Sequence, residues 1–235
     1  MQFMAEMFMN CSNLVVEGNE KMKYTDGKNI MVCVQSADGA AIGAALETVS
    51  KAAELAKAAG EEVLAVVFGK DTDTKPVIAA GAAKVLTAGS NELQAAEKAE
   101  ILTKLVEKYQ PKALYMAGTP EGKMIAPAVA AAFESGCATD VTGITADGVY
   151  TTLSYNGNVL NDMKMGENLP HIATVRSGSF AKNLDESRSG EVADEDVTAE
   201  DVKFSIERHL EVGGSLPIEA DVKSVEAVDE KTVEI

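Results

Sequence analysis

Ile30-Met31-Val32-Cys33-Val34 is a short, unbroken apolar run. A strand half in water alternates apolar and polar residues, whereas a strand buried on both faces reads as this one does. Working outward, a Gly-containing loop leads to a helix in which Leu46, Val49, Ala53 and Ala56 keep helical spacing until Gly60 supplies a stop. Residues 63–68 repeat the buried-strand pattern, residues 76–82 read as a short helix, and residues 84–87 form a third strand. Residues 92–109 read as a long helix with Leu102, Leu105, Val106 and Tyr109 on one face, closed by Pro111. A fourth strand spans 113–117. The helix over 122–133 turns Ile125, Val129, Ala132 and Phe133 toward it. Strands alternating with helices predict right-handed crossovers, and so an α/β fold with a doubly wound, mostly parallel sheet covered on both faces.

Past Gly136 the rhythm changes. Runs at 149–155, 159–163 and 171–175 are separated by Asp147-Gly148 and Asn156-Gly157, both strong turn pairs. They predict added short strands, partly antiparallel. Residues 183–201 read as a polar loop, with candidate edge strands at 202–206 and 222–228. The expected organisation is an N-terminal extension (1–28), the α/β domain (29–182) and an acidic tail (183–235).

Composition narrows the function classes. The 235-residue chain has a formal charge of −16, aromatics of only 5% and no Trp. An acidic surface repels phosphate backbones and anionic membrane faces, and few aromatics leave no stacking platform for bases. Nucleic acid is therefore not an expected partner. The charge is concentrated from Asp185 onward, where sixteen acidic residues face five basic ones. That stretch reads as a solvated connector or as a docking strip for a basic partner. Cys11, Cys33 and Cys137 are widely spaced, and with two His residues they assemble no metal constellation. Cys33 lies within the apolar run and reads as a core residue. A reducing cytoplasm is expected, and no apolar run approaches the length of a membrane span. Five of the ten Met residues fall in the extension, where Phe3, Met4, Met7 and Phe8 make one helical stripe that docks on the domain or on a partner.

Two loops carry potential chemistry. Ala117-Gly118-Thr119-Pro120-Glu121-Gly122-Lys123 leaves a strand for a helix at the carboxyl edge of the sheet, where open α/β domains bind ligands. Backbone N–H groups with Thr119 and Lys123 would suit a phosphate. Ordinary turn chemistry also explains Gly118 and Gly122. Arg176-Ser177-Gly178-Ser179-Phe180 brings a fixed cation and two hydroxyls together, as an anion-binding or interface loop needs. Arg176 paired with a carboxylate is the alternative. His171 and His209 stand apart from any nucleophile, and no hydrolase, zinc-protease or kinase signature occurs, so no catalytic or metal-ligating residue is assigned.

Gly122-Lys123-Met124-Ile125-Ala126-Pro127-Ala128-Val129-Ala130-Ala131 resembles the helix-opening segment of electron transfer flavoprotein alpha subunits. Tyr155-Asn156-Gly157-Asn158-Val159-Leu160 and Ala173-Thr174-Val175-Arg176-Ser177-Gly178-Ser179-Phe180 resemble that family's aromatic-x-Gly-Asn strand and its T-V-R-x-G-x-F strand end, in the same order. Thr139-Asp140-Val141-Thr142-Gly143-Ile144 resembles its intervening acidic turn. The resemblance implies an adenine nucleotide alpha hydrolase-like domain that packs on a beta subunit and acts as an electron-carrier component rather than an enzyme. It implies FAD only in a complete heterodimer, with AMP carried by the beta partner. The V-G-Q-T-G and S-G-A-x-Q-H motifs of the family's FAD-binding domain do not occur in these 235 residues, so no flavin ligand is carried over. A stand-alone nucleotide-binding or interaction module of the same fold is the competing expectation.

Overall fold

The computed structural model describes residues 23–90, 92–155, 157–195, 226–229 and 232–234. In chain order they form β1 (Ile30–Val34), β2 (Ser36–Ala37), β3 (Ala40–Ala41), α1 (Gly43–Ala59), β4 (Val63–Phe68), α2 (Lys75–Ala80) and β5 (Lys84–Ala88). Then come α3 (Ala95–Tyr109), β6 (Ala113–Ala117), α4 (Pro120–Phe133), β7 (Cys137–Ile144), β8 (Val149–Ser154) and β9 (Val159–Lys164). The last are β10 (His171–Val175), β11 (Glu191–Glu195), β12 (Glu226–Asp229) and β13 (Thr232–Glu234).

Nine strands make one sheet in the order β11-β5-β4-β1-β6-β10-β7-β8-β9. Every pair from β11 to β7 is parallel, and β8 and β9 add antiparallel. The doubly wound, mostly parallel sheet with added antiparallel strands is thus present. Alternate residues of each inner strand face opposite layers. Val32, Val34, Ala65, Val67, Val85 and Tyr115 join α1 and α2 in one core, while Met31, Cys33, Leu64, Val66, Leu86 and Leu114 join α3 and α4 in the other.

The four first strands match their expected spans closely, because an unbroken apolar run has one place to go in a layered fold. Helix α3 begins three residues later than its apolar spacing suggests. Its start is set by a capping box, in which Glu97 accepts the Gln94 N–H at 2.7 Å. Strand β10, third in its run of short strands, lies inside the sheet between β6 and β7 and is parallel to both. Its residues are almost wholly buried, whereas β7 alternates and so tolerates a position nearer the rim.

The polar stretch 183–201, read as loop, contains β11, which extends the sheet beyond β5. Three carboxylates in five residues hid it, since no apolar pattern marks the strand. Residues 226–229 and 232–234 pair as an antiparallel sheet of their own. The Met-rich stripe, Cys11, residues 202–206 and His209 lie outside the described residues. Residues 23–29 pack on the domain itself: Tyr24 donates to Pro111 O at 2.6 Å and stands edge-on to Phe133. Among the described residues, no helix is long and apolar enough to cross a membrane.

Candidate functional site

β1 sits at the reversal of strand order, with β4 on one side and β6 on the other. The carboxyl ends of β1 and β6 therefore open the crevice where a doubly wound sheet places its ligands. Gln35 follows β1 there, and residues 117–123 run from β6 into α4.

The loop is held by Gln35, by Val175 and by its own Thr119. Gln35, only 6% exposed, donates from Nε2 to Ala117 O at 3.2 Å and accepts the Ala117 N–H on Oε1 at 3.2 Å. Thr119 caps α4 by accepting the Gly122 N–H on Oγ1 at 3.0 Å. Gly118 donates to Val175 O at 2.6 Å. A Cβ at Gly122 would collide with the Ala117 carbonyl oxygen and stand 2.7 Å from Gln35 Nε2, so the close approach of α4 to β6 requires glycine there. Glu121, in the first turn, accepts from Lys98 Nζ at 2.5 Å, and that ammonium also lies 5.4 Å from the centre of the Phe68 ring. The first turns of α3 and α4 are tied together by this pair.

The two loops singled out in sequence meet. β10 lies beside β6, so Arg176 follows Val175 at the same edge as Gly118. Asp140 stands between them: Lys123 Nζ is 3.5 Å from its Oδ1 and Arg176 Nη1 is 3.5 Å from its Oδ2. Asp140 has a left-handed backbone (φ 57°) and donates its N–H to Thr174 Oγ1 at 2.9 Å. Lys123 and Arg176 are each about half exposed. Ser177 and Gly178 are exposed, and the Gly178 N–H donates to Glu47 Oε2 at 2.7 Å, tying the loop to α1.

Gln35 and Glu47 were not singled out by sequence reasoning. Gln35 had a legible signal, a polar residue directly after a fully buried strand; Glu47 had none, because its role depends on a loop 131 residues away. Cys33 ends in the core on the α3–α4 side, where burial pushes its thiol up to about 12. Cys137 is half-buried and likewise raised by burial. Among the described residues, no group of His, Cys, Asp and Glu could hold a metal ion.

The donors named in this crevice hold the loop and the helix start, so they do not fit the pyrophosphate of a flavin dinucleotide.

Residues 30–200 match the model of the electron transfer flavoprotein domain. The electron transfer flavoprotein subunit alpha of Clostridium acetobutylicum is 29% identical over 204 residues, which cover 80% of this chain and 60% of that protein. Its counterpart in Thermoanaerobacterium thermosaccharolyticum is 26% identical, covering 77% of this chain and 58% of that protein. Subunit LctC of a lactate dehydrogenase (NAD(+),ferredoxin) from Acetobacterium woodii is 27% identical, covering 71% and 43%. The chain thus spans about 60% or less of the length of these relatives.

Proposed function

Because the chain belongs to the electron transfer flavoprotein domain family, we propose that it is an alpha-subunit component that scaffolds a beta-like subunit in flavin-mediated electron transfer. The observation that carries this reading is the family match across the whole parallel sheet, joined to relatives that are named alpha subunits. In this reading residues 29–182 form the docking domain, 1–28 an extension and 183–235 an acidic tail, with residues 191–195 of that tail added to the domain's sheet. The chain works in the cytoplasm as an electron-carrier part rather than as an enzyme. FAD belongs to the complete heterodimer and AMP to the beta partner, so no residue here is given a flavin role. The flavin supplies the redox chemistry, and protein groups around it tune its potential.

The surface supports a partner. Tyr155, Val159, Leu160 and Met163 are all exposed large apolar residues on the β8–β9 hairpin, and Leu160 is 68% exposed. Among the described residues, β9 ends the sheet with its outer edge unpaired. Asp162 and Lys164 charge part of that strand, and the exposed apolar residues beside its unpaired edge are a liability unless something covers them. Co-expression with a beta-like subunit tests the reading. A co-purifying yellow complex is expected, and a chain that stays alone and colourless beside a folded partner would overturn it. Leu160→Lys is expected to abolish capture while leaving the chain folded.

A second reading, a nucleotide-binding or interaction module using Gly118, Thr119, Gly122 and Lys123, is favoured by the convergence of two half-exposed cations on Asp140. It predicts heat on titration with AMP, ATP or FAD, lost in Lys123→Ala. No heat from any of the three removes it.

A further inference from the structure

The two edges of the large sheet are built differently. β9 reads Val159-Leu160-Asn161-Asp162-Met163-Lys164 and leaves three apolar residues exposed, whereas β11 reads Glu191-Val192-Ala193-Asp194-Glu195. β11 brings little apolar surface to its attachment: Ala193 packs on the core, and Val192 is 49% exposed. Its carboxylates, by contrast, each find a partner on the domain. Glu191 lies 3.3 Å from Lys84 at the start of β5. Asp194 accepts from the Thr87 hydroxyl of β5 and lies 3.6 Å from Lys70, in the segment between β4 and α2. Glu195 lies 2.6 Å from Lys108 Nζ and accepts the Tyr109 hydroxyl at 2.5 Å, both at the end of α3. The segment before β11 is held in another way, chiefly by hydrogen bonds to backbone carbonyls and by packing, with Arg188 Nη1 donating to Ala79 O at 3.1 Å. Ser50 exchanges hydrogen bonds with the Asn183 backbone, Asp185 N–H donates to Ala79 O at 2.9 Å, and Gly190 fits against Ile78 and Ala82.

We propose that β11 is an ionic latch: a detachable edge strand whose three carboxylates, gripped by Lys84, Lys70 and Lys108, hold the chain against β5, and whose release leaves the domain folded. Closed, it fixes the position of Glu195, from which the chain continues. Open, it lets that point move by about 17 Å, five residues of extended chain, and it frees the outer edge of β5 for another strand. Three properties of the site make the latch separable. The anchor at residues 183–190 lies upstream of it and does not depend on it. Exposed ion pairs weaken with salt, while the buried core does not. The carboxylate of Glu195 is desolvated, which alone would raise it, but the Lys108 and Tyr109 hydrogen bonds, with the charges of Lys108 and Lys84, hold it below the usual carboxylate range. A depressed carboxylate favours the closed state above its unfolded value and loses that contribution as pH falls through its folded one. The latch is therefore closed at neutral pH and opened by salt, by acid or by a competing polycation. This inference does not rest on the electron-transfer reading.

Hydrogen exchange by mass spectrometry on the full chain tests it. At neutral pH and 20 mM salt the amides of 191–195 are expected to be protected. In 1 M salt, and in the Lys84→Gln/Lys108→Gln double variant, that protection should fall at least tenfold while β1 amides keep theirs. Lys108→Arg should retain it. Protection of 191–195 that survives both salt and the double variant overturns the latch, because the backbone ladder would then suffice. So does protection lost only together with that of β1, because the strand would then be an inseparable part of the core.

Discussion

Asp140 shows how one residue can carry both charge and shape. It bridges Lys123 and Arg176 from a left-handed backbone, a conformation that Asn tolerates and Ala does not. Its partners are half exposed, so losing the ion pairs in Asp140→Asn should cost about 0–1 kcal/mol. Asp140→Ala should cost about 1–2 kcal/mol more, through the backbone alone. Urea midpoints of the two variants separate these effects, and equal midpoints would show that the backbone is unstrained. Cys33 gives a second test. With its thiol pushed up to about 12, chiefly by burial and further by the charge of Glu121 against Lys98, it should resist a thiol reagent at pH 8 in the native chain. Peptide mapping should find it labelled only once urea unfolds the domain. Rapid native labelling would mean that the α3–α4 layer opens on its own.

Helix α4 is the element on which the crevice depends. Thr119 fixes its first turn, Gly122 lets it approach β6, and Ile125, Val129 and Phe133 bury its inner face. Removing the cap in Thr119→Ala should destabilise the domain by about 0.5–2 kcal/mol, read as a lower urea midpoint with unchanged slope. The same hydroxyl lies 3.4 Å from Gln35 Nε2, so the loss should also loosen the end of β1. A change below the resolution of the measurement would show that water replaces the cap. Strands differ in how legible they were. β1, β4, β5 and β6 are continuous apolar runs and announce themselves, because burial on two faces admits nothing else. β11 was not legible, since its attachment comes from partners on β5, on α3 and in the segment after β4 rather than from its own side chains' aversion to water.

At the scale of the molecule, the sheet carries an edge with exposed apolar residues at β9 and a carboxylate-rich one at β11. The first supports the docking of a partner subunit, and there the expected outcome is loss of beta-subunit capture in Leu160→Lys. Capture that persists in this variant would move the interface elsewhere while leaving the scaffold reading intact. The alternation of buried runs with amphipathic helices was enough, in sequence alone, to determine a doubly wound parallel sheet, because period and polarity are local properties of the chain. Order and spacing of the segments around Gly122, Tyr155 and Arg176 were likewise enough to indicate the family. Only the tertiary structure decided that β10 enters the sheet beside β6. That placement brings Arg176 and Lys123 onto one carboxylate, and it left Gln35 and Thr119 committed to holding their own loop. It also decided that the stretch Glu191–Glu195 completes the sheet. These outcomes turn on which strands become neighbours, and neighbours distant in sequence are chosen by burial and charge pairing across the whole fold.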